Sequence, residues 1–199
     1  MFDKARAVGI TLFSSPFDTS AVDFLDDLGA PALKIASFEM LDFKLVEFAA
    51  SKGKPIIIST GMANLSEITM LYEFLQKKKI RDFSILHCVS GYPAEPEEYS
   101  LQNIADMRER FNCPIGLSDH TNDIISSLSA TALGAVVIEK HYKINDDMSC
   151  VDQSVSITEE QMKKLVLDIR FIEEALGKEK KDLVSNEKDA IKYRRNNIL

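Results

Sequence analysis

An α/β fold built on a parallel sheet is the class this sequence predicts, on three observations. Short β-rich apolar runs alternate with longer amphipathic stretches. The runs begin about every 20–30 residues, the size of one βα unit. Several runs lack the polar–apolar alternation of a half-exposed strand, as strands covered on both faces do. The stretch from Pro114 to His141 concentrates all three features. It holds one run ending in Ser118-Asp119-His120, a helical stretch, then a second run ending in Glu139-Lys140-His141. Parallel pairing brings both histidines out at one carboxyl-terminal edge, where α/β sheets and barrels place their chemistry. Two imidazoles there could hold a divalent metal.

The predicted strands are Gly9–Ser14, Ala32–Ala36, Pro55–Ser59, Phe83–Val89, Pro114–Leu117 and Ala135–Ile138. Helices fill the gaps. Asp18-Thr19-Ser20 can cap a helix with Ala21, Val22, Phe24, Leu25 and Leu28 on one side, which Gly29 and Pro31 end. A second helix spans Phe43 to Ala50. A third starts at Asn64-Leu65-Ser66-Glu67 and turns Met70, Leu71, Phe74 and Leu75 to the core. Leu101 to Phe111 and Asn122 to Leu133 are the fourth and fifth. Thr158 and Gln161 form a capping box for a last helix to Leu176, with Gly177 as its stop. Residues 1–177 thus read as one domain, and the charged, weakly periodic residues 178–199 as a linker segment. A complete (β/α)₈ barrel takes about 250 residues. Periodicity therefore leaves two architectures open, a six-stranded open sheet or a barrel short of two units.

Composition narrows the function classes. A chain of 199 residues can bury a sizeable core, and 45% hydrophobic with 28% charged residues is ordinary for a soluble domain. The net charge of −7 argues against nucleic acid or an anionic membrane as a general partner, so an anionic substrate needs a local basic site. Cys88, Cys113 and Cys150 are odd in number and widely spaced, which argues against a disulfide framework and for a reducing cytoplasm. No apolar run reaches the roughly 20 residues of a membrane helix, and the amino terminus lacks the apolar core of a secretory signal.

Polar residues cluster at the end of every strand. The first ends in Ser14-Ser15, the second carries Lys34 and ends Ser37-Phe38-Glu39, and the third ends Ser59-Thr60-Gly61-Met62. The fourth ends His87-Cys88-Val89-Ser90-Gly91-Tyr92-Pro93. Hydroxyls, one lysine and glycine amides suit a phosphate, while carboxylates and imidazoles suit a hard divalent ion or proton transfer. Each has a plainer reading. Serines after strands also cap helices, and His87, before its strand end, reads as structural. Asp119 and Glu139 either orient the imidazoles or pair with Lys140 and Lys143. Lys34 inside an apolar run is harder to explain without a partner.

The segments Phe13-Ser-Ser-Pro-Phe17, Lys34-Ile-Ala-Ser-Phe-Glu39, Gly53-Lys-Pro-Ile-Ile-Ile-Ser-Thr-Gly-Met62, His87-Cys-Val-Ser-Gly-Tyr-Pro93, Gly116-Leu-Ser-Asp-His-Thr121 and Ile138-Glu-Lys-His-Tyr142 resemble the sialic acid synthase family. The likeness runs from about Val8 to Gly177. It implies a TIM barrel, here a partial one with six βα units corresponding to strands 3–8. It also implies a reaction: phosphoenolpyruvate condenses with the open aldehyde of an N-acylated amino sugar, water adds, and phosphate leaves. Mn²⁺ or Mg²⁺ would be held by His120 and His141. Lys34, Ser37, Ser59, Ser90, Ser118 and Ser15 would line the phosphoenolpyruvate site. Glu39, Tyr92 and Asp152 would face the sugar. Glu139 and Glu39 would be the catalytic carboxylates, with Glu139 also supporting the metal site.

The sequence departs from the family pattern. Two strands, one with a catalytic glutamate and one with a phosphoenolpyruvate-binding lysine, are expected before Gly9. A small antifreeze-like domain, which gives an arginine to the partner in a domain-swapped homodimer, is expected after Tyr193-Arg-Arg-Asn-Asn-Ile-Leu199. Gly-Pro-Asp before the last helix is here Cys150-Val151-Asp152. The expectation is a chain with little turnover by itself, with bare sheet edges that favour self-association or a complementing chain. Two rivals stand beside it. A non-catalytic split product would act only as an assembly partner. A related synthase of deoxy-sugar acids would need a cysteine ligand, and no cysteine is expected at a strand end beside the two histidines.

Overall fold

The computed structural model describes residues 1–147, 149–178 and 180–195. Its centre is one parallel sheet of β1 (Leu33–Ile35), β2 (Ile56–Ser59), β3 (Phe83–Cys88), β4 (Ile115–Asp119) and β5 (Ile138–Lys140), paired in chain order. The helices are α1 (Phe2–Val8), α2 (Thr19–Asp27), α3 (Phe43–Ser51), α4 (Leu65–Lys77), α5 (Gln102–Arg110), α6 (Ile125–Ala132) and α7 (Glu159–Leu176). A doubly wound sheet reverses its strand order partway, and this one does not. Right-handed crossovers in unbroken order put every connecting helix on one face. The result is a curled half-barrel wall.

Register and alternation sort the strand residues. Leu33, Ile35, Ile56, Ile58, Phe83, Ile85, Ile115 and Leu117 face the helices and are buried. Each such side chain contributes about 1.5–3 kcal/mol on burial. The opposite, inner face carries Lys34 with Ile57 and Ser84, then Ser59 with Leu86 and Gly116, then Cys88 with Ser118 and Glu139. Gly116 is required here, because a Cβ would lie 2.6 Å from Leu86 Cδ2 and 2.4 Å from Val137 O.

Caps follow the sequence closely. Asp18 Oδ1 accepts from Ala21 N–H at 2.8 Å, and the Asn64–Glu67 and Thr158–Gln161 boxes are both closed.

Three expectations need correction, and one element was not foreseen. The run Gly9–Ser14 is not a sixth strand: only Ser14 bridges Leu33, through Lys34 N–H to Ser14 O at 3.1 Å. This run has one sheet neighbour among the described residues, three residues long, and one rung cannot hold it extended as a ladder. Met70 and Phe24 are not core, being 53% and 62% exposed, because Leu71 and Val22 take the inward helical positions. The sixth predicted run is shifted: the strand is Ile138–Lys140, at the sheet edge, and Val136 is 68% exposed. Helix α1 was not anticipated; it buries no residue and ends at Gly9 with φ 74°. In the predicted linker segment, residues 178 and 180–195 form two short 3₁₀ turns and are exposed. Residues 179 and 196–199 of that segment lie outside the described residues. Among the described residues no helix is long and apolar enough to cross a membrane.

Candidate active site

The inner-face polar residues meet loops at the carboxyl-terminal edge around a cavity of about 470 Å³. Lys34 on β1 is 7% exposed. Its Nζ donates to Ser59 Oγ on β2 at 2.8 Å and lies 3.5 Å from Glu139 Oε1 on β5. Glu139 also accepts from Ser118 Oγ on β4 at 2.6 Å. One carboxylate thus ties three strands of the wall together.

The anion-like side of the cavity is built by close approach. Gly61 N–H donates to Ser37 Oγ at 2.9 Å, and a Cβ on Gly61 would lie 2.0 Å from Ser90 Oγ. Only glycine lets the β2 loop pass this close to both serines. Ser15 and Ser90 complete the hydroxyl lining.

The imidazoles sit opposite. Their centroids are 5.3 Å apart, with Tyr92 stacked on His120 at 4.2 Å and edge-on to His141 at 5.6 Å. His120 Nδ1 lies 2.7 Å from Val89 O. A carbonyl only accepts, so Nδ1 carries the proton and Nε2 has the lone pair. That lone pair faces the Tyr92 hydroxyl at 3.1 Å. His141 Nδ1 is 3.5 Å from Asp152 Oδ2. Burial, then the neighbouring His120, pull His141 below the ordinary histidine pKa. Burial also opposes charge on His120, but contacts to Cys88 and Val89 O outweigh it and raise its pKa.

The donor set fits a divalent ion. With centroids 5.3 Å apart, the two rings are close enough to reach one cation between them. Among the described residues no three His, Cys, Asp or Glu side chains converge as a ligand set. The imidazoles would supply two positions and leave the rest to oxygens of water or substrate, as Mg²⁺ accepts.

Of the expected site residues, Lys34, Ser37, Ser59, Ser90, Ser118, Ser15, Tyr92, Glu139, His120 and His141 line the one cavity. Asp152 reaches it only through His141. Glu39 does not line it: it ends the turn Ser37–Glu39, and its Oε2 is buried without a hydrogen-bond partner among the described residues. Asp119 forms the ion pair with Lys140, at 3.1 Å. Lys143 pairs with Asp146 instead. His87 turns to the helix side, with Nε2 2.7 Å from Tyr99 O.

Sequence reasoning missed Cys88. It ends β3 and lines the cavity, with Sγ 4.0 Å from His120 Nδ1 and 3.6 Å from Ser37 Oγ. The expectation that no cysteine stands at a strand end near the histidines is therefore corrected. Its sulfur lies on the Nδ1 side, away from the Nε2 lone pair. Counting alternate residues back from the strand end would have turned Cys88 inward.

Comparison with known proteins agrees with this architecture. The family model described as the NeuB family matches residues 1–181. An uncharacterised protein of Methanocaldococcus jannaschii is 38% identical over 99% of this chain and 58% of its own length. A pseudaminic acid synthase of Campylobacter jejuni is 38% identical over 92% of this chain and 53% of its own. The crystal structure of an N-acetylneuraminic acid synthetase from Leptospira borgpetersenii superposes with a TM-score of 0.89 at 35% identity, covering 96% of this chain and 67% of that one. The chain spans about half the length of the curated relatives it matches. With the family match over nearly its whole length, and the half-barrel to go with it, this chain belongs to the NeuB family.

Proposed function

We propose that the cavity serves a nonulosonic acid synthase, condensing phosphoenolpyruvate with the aldehyde of an N-acylated amino sugar and releasing phosphate. The observation that carries this reading is the meeting of Lys34 and a hydroxyl-lined loop with two imidazoles in one cavity. Lys34, Ser37, Ser59, Ser90, Ser118 and Ser15 bind the phosphate and carboxylate oxygens. Glu139, held by Ser118 and Lys34, orients those groups and is the carboxylate best placed for proton transfer. Tyr92, and Asp152 beside His141, face the sugar; Glu39, which does not line the cavity, is assigned to the sugar side on the resemblance alone. His120 and His141 hold Mn²⁺ or Mg²⁺, which when bound supplies Lewis acidity toward the aldehyde oxygen. We assign the reaction to the cytoplasm, where the three free cysteines stay reduced, and a homodimer to the full enzyme.

For the 199-residue polypeptide assayed by itself, we propose metal and phosphate binding with little turnover. The Lys34 ammonium is already ion-paired with Glu139 and that of Lys140 is turned to Asp119 behind the wall, and a trianionic substrate calls for more positive charge than they leave. The test is a steady-state assay with phosphoenolpyruvate, Mn²⁺ and either N-acetylmannosamine or a diacetamido-deoxyhexose. Turnover equal to that of a longer synthase refutes the low-activity proposal. Failure to bind either Mn²⁺ or phosphoenolpyruvate refutes the functional reading. Exposed Ile10 and Val136 beside the two sheet edges favour a second role, pairing with another chain.

A further inference from the structure

We infer that the buried Asp119–Lys140 ion pair is a positioning device, holding the ends of β4 and β5 so that His120 and His141 keep a separation one divalent ion can bridge. This rests on the cation reading proposed above. Asp119 and Lys140 are partners in the last registered rung between the two strands, and the next residue on each strand is a histidine. Alternation turns Ser118 and Glu139 inward on the rung before, and His120 and His141 inward beyond it. The ion pair points the other way, behind the wall. Its side chains are 0% and 1% exposed, with Oδ1 and Nζ 3.1 Å apart.

The network around the pair reaches the histidines from behind. Asp119 accepts from Ser127 Oγ on α6 at 2.5 Å, from Thr121 N–H and Oγ1 at 2.8 Å each, and from Tyr99 OH at 3.0 Å. Lys140 Nζ donates to Thr121 O at 2.5 Å and also lies 3.1 Å from its Oγ1. The Tyr99 hydroxyl in turn accepts from His120 N–H at 2.5 Å. The loop residues flanking His120, helix α6 and both strand ends are therefore cross-linked through one carboxylate.

Stability alone is a poor reason for such a pair. Replacing a buried ion pair by apolar side chains of similar volume is often neutral or stabilising. What apolar packing does not supply is a directional link between the two strand ends. Groups that orient metal ligands typically change metal affinity 10–100-fold when lost.

The experiment measures Mn²⁺ binding by the whole 199-residue chain, reading free Mn²⁺ by electron paramagnetic resonance, with far-ultraviolet circular dichroism as the check on folding. The variants are Lys140→Met, the double variant Asp119→Leu/Lys140→Met, and Tyr99→Phe, which removes one hydroxyl and keeps the ring. The expected result is a folded double variant with Mn²⁺ affinity reduced about 10–100-fold, and a reduction on the order of tenfold in Tyr99→Phe. A folded double variant and a folded Tyr99→Phe that both bind Mn²⁺ as the unaltered chain does would overturn the inference. If Lys140→Met and the double variant do not fold, Tyr99→Phe decides in either direction. His120→Ala and His141→Ala separate the two levels: undiminished Mn²⁺ binding there overturns the cation site itself.

Discussion

Replacing Gly61 by alanine tests whether the anion side of the cavity depends on close approach. The added Cβ would lie 2.0 Å from Ser90 Oγ, 2.9 Å from Ser37 Oγ and 3.1 Å from Cys88 Sγ. The Ser90 hydroxyl must rotate away, and Ser37 and Cys88 must give by tenths of an ångström. Overpacking of this kind costs about 1–3 kcal/mol, offset by about 0.4–1 kcal/mol from a less flexible unfolded chain. The net change is about 0–2.5 kcal/mol, so the fold should survive. Binding should not. A hydroxyl contact to a charged phosphate is worth about 1.5–3 kcal/mol, so if Ser90 binds phosphoenolpyruvate as proposed, losing that contact weakens binding by about 10–100-fold. Isothermal titration with phosphoenolpyruvate reads the binding loss and urea unfolding the stability change. Gly116→Ala is the contrast. Its Cβ meets the Val137 backbone oxygen at 2.4 Å, so β4 and β5 must part, and stability should fall by about 3 kcal/mol or more. Phosphoenolpyruvate binding within twofold of wild type in Gly61→Ala would refute the reasoning.

Three further outcomes are expected. Lys34→Met keeps the buried stem but removes the ammonium beside Ser59 and Glu139; phosphoenolpyruvate affinity by calorimetry should fall on the order of tenfold or more, and an unchanged value would remove Lys34 from the anion site. At the proposed metal site Mn²⁺ would compete with protons for His120, whose pKa is raised, so affinity should be highest above neutrality and fall about tenfold per pH unit well below it; a flat Mn²⁺ titration between pH 8 and 5.5 would contradict this. Burial alone would raise the Asp119 pKa, but Lys140 and the Ser127 and Thr121 hydrogen bonds outweigh it and hold it low. Its contribution to stability is then fully present above its unfolded value near 4 and lost as pH falls through the folded value. Urea midpoints should therefore drop on acidification below pH 4 in the wild type, and less steeply in Asp119→Asn.

The wall of the half-barrel was legible because its strands are short Ile- and Leu-rich runs, bounded by glycine and proline. The caps were legible because Asp18, Asn64 and Thr158 act within their own helical turn. Features that depended on distant partners were not. Gly9–Ser14 has the composition of a strand, but a strand needs neighbours along its length, and here one rung forms. Met70 and Phe24 sit at the margin of their helices' apolar faces, where 100° per residue decides exposure. In the site, the two histidines and Lys34 were readable because polar groups at the ends of apolar runs stand out. Cys88 did not, since a cysteine after a histidine in a buried run looks like core until the inward and outward faces are assigned. Lys140 was weighed as a partner for Asp119, but only the register shows the pair as the last rung behind the histidines. Glu39 is expected among the cavity groups, yet at the end of the 3₁₀ turn that begins with Ser37 it does not line the cavity.

Unbroken strand order has a bearing on how this cavity can evolve. Position along the chain becomes position around the rim: Lys34 and Ser59 come from β1 and β2, Cys88 from β3 with Ser90 just after it, Ser118 and Glu139 from β4 and β5, and the imidazoles follow β4 and β5. The hydroxyls are thus spread along the whole stretch, while both imidazoles come from its later part. Substitutions confined to the later part can therefore change what surrounds the imidazoles while Lys34 and Ser59 keep their places.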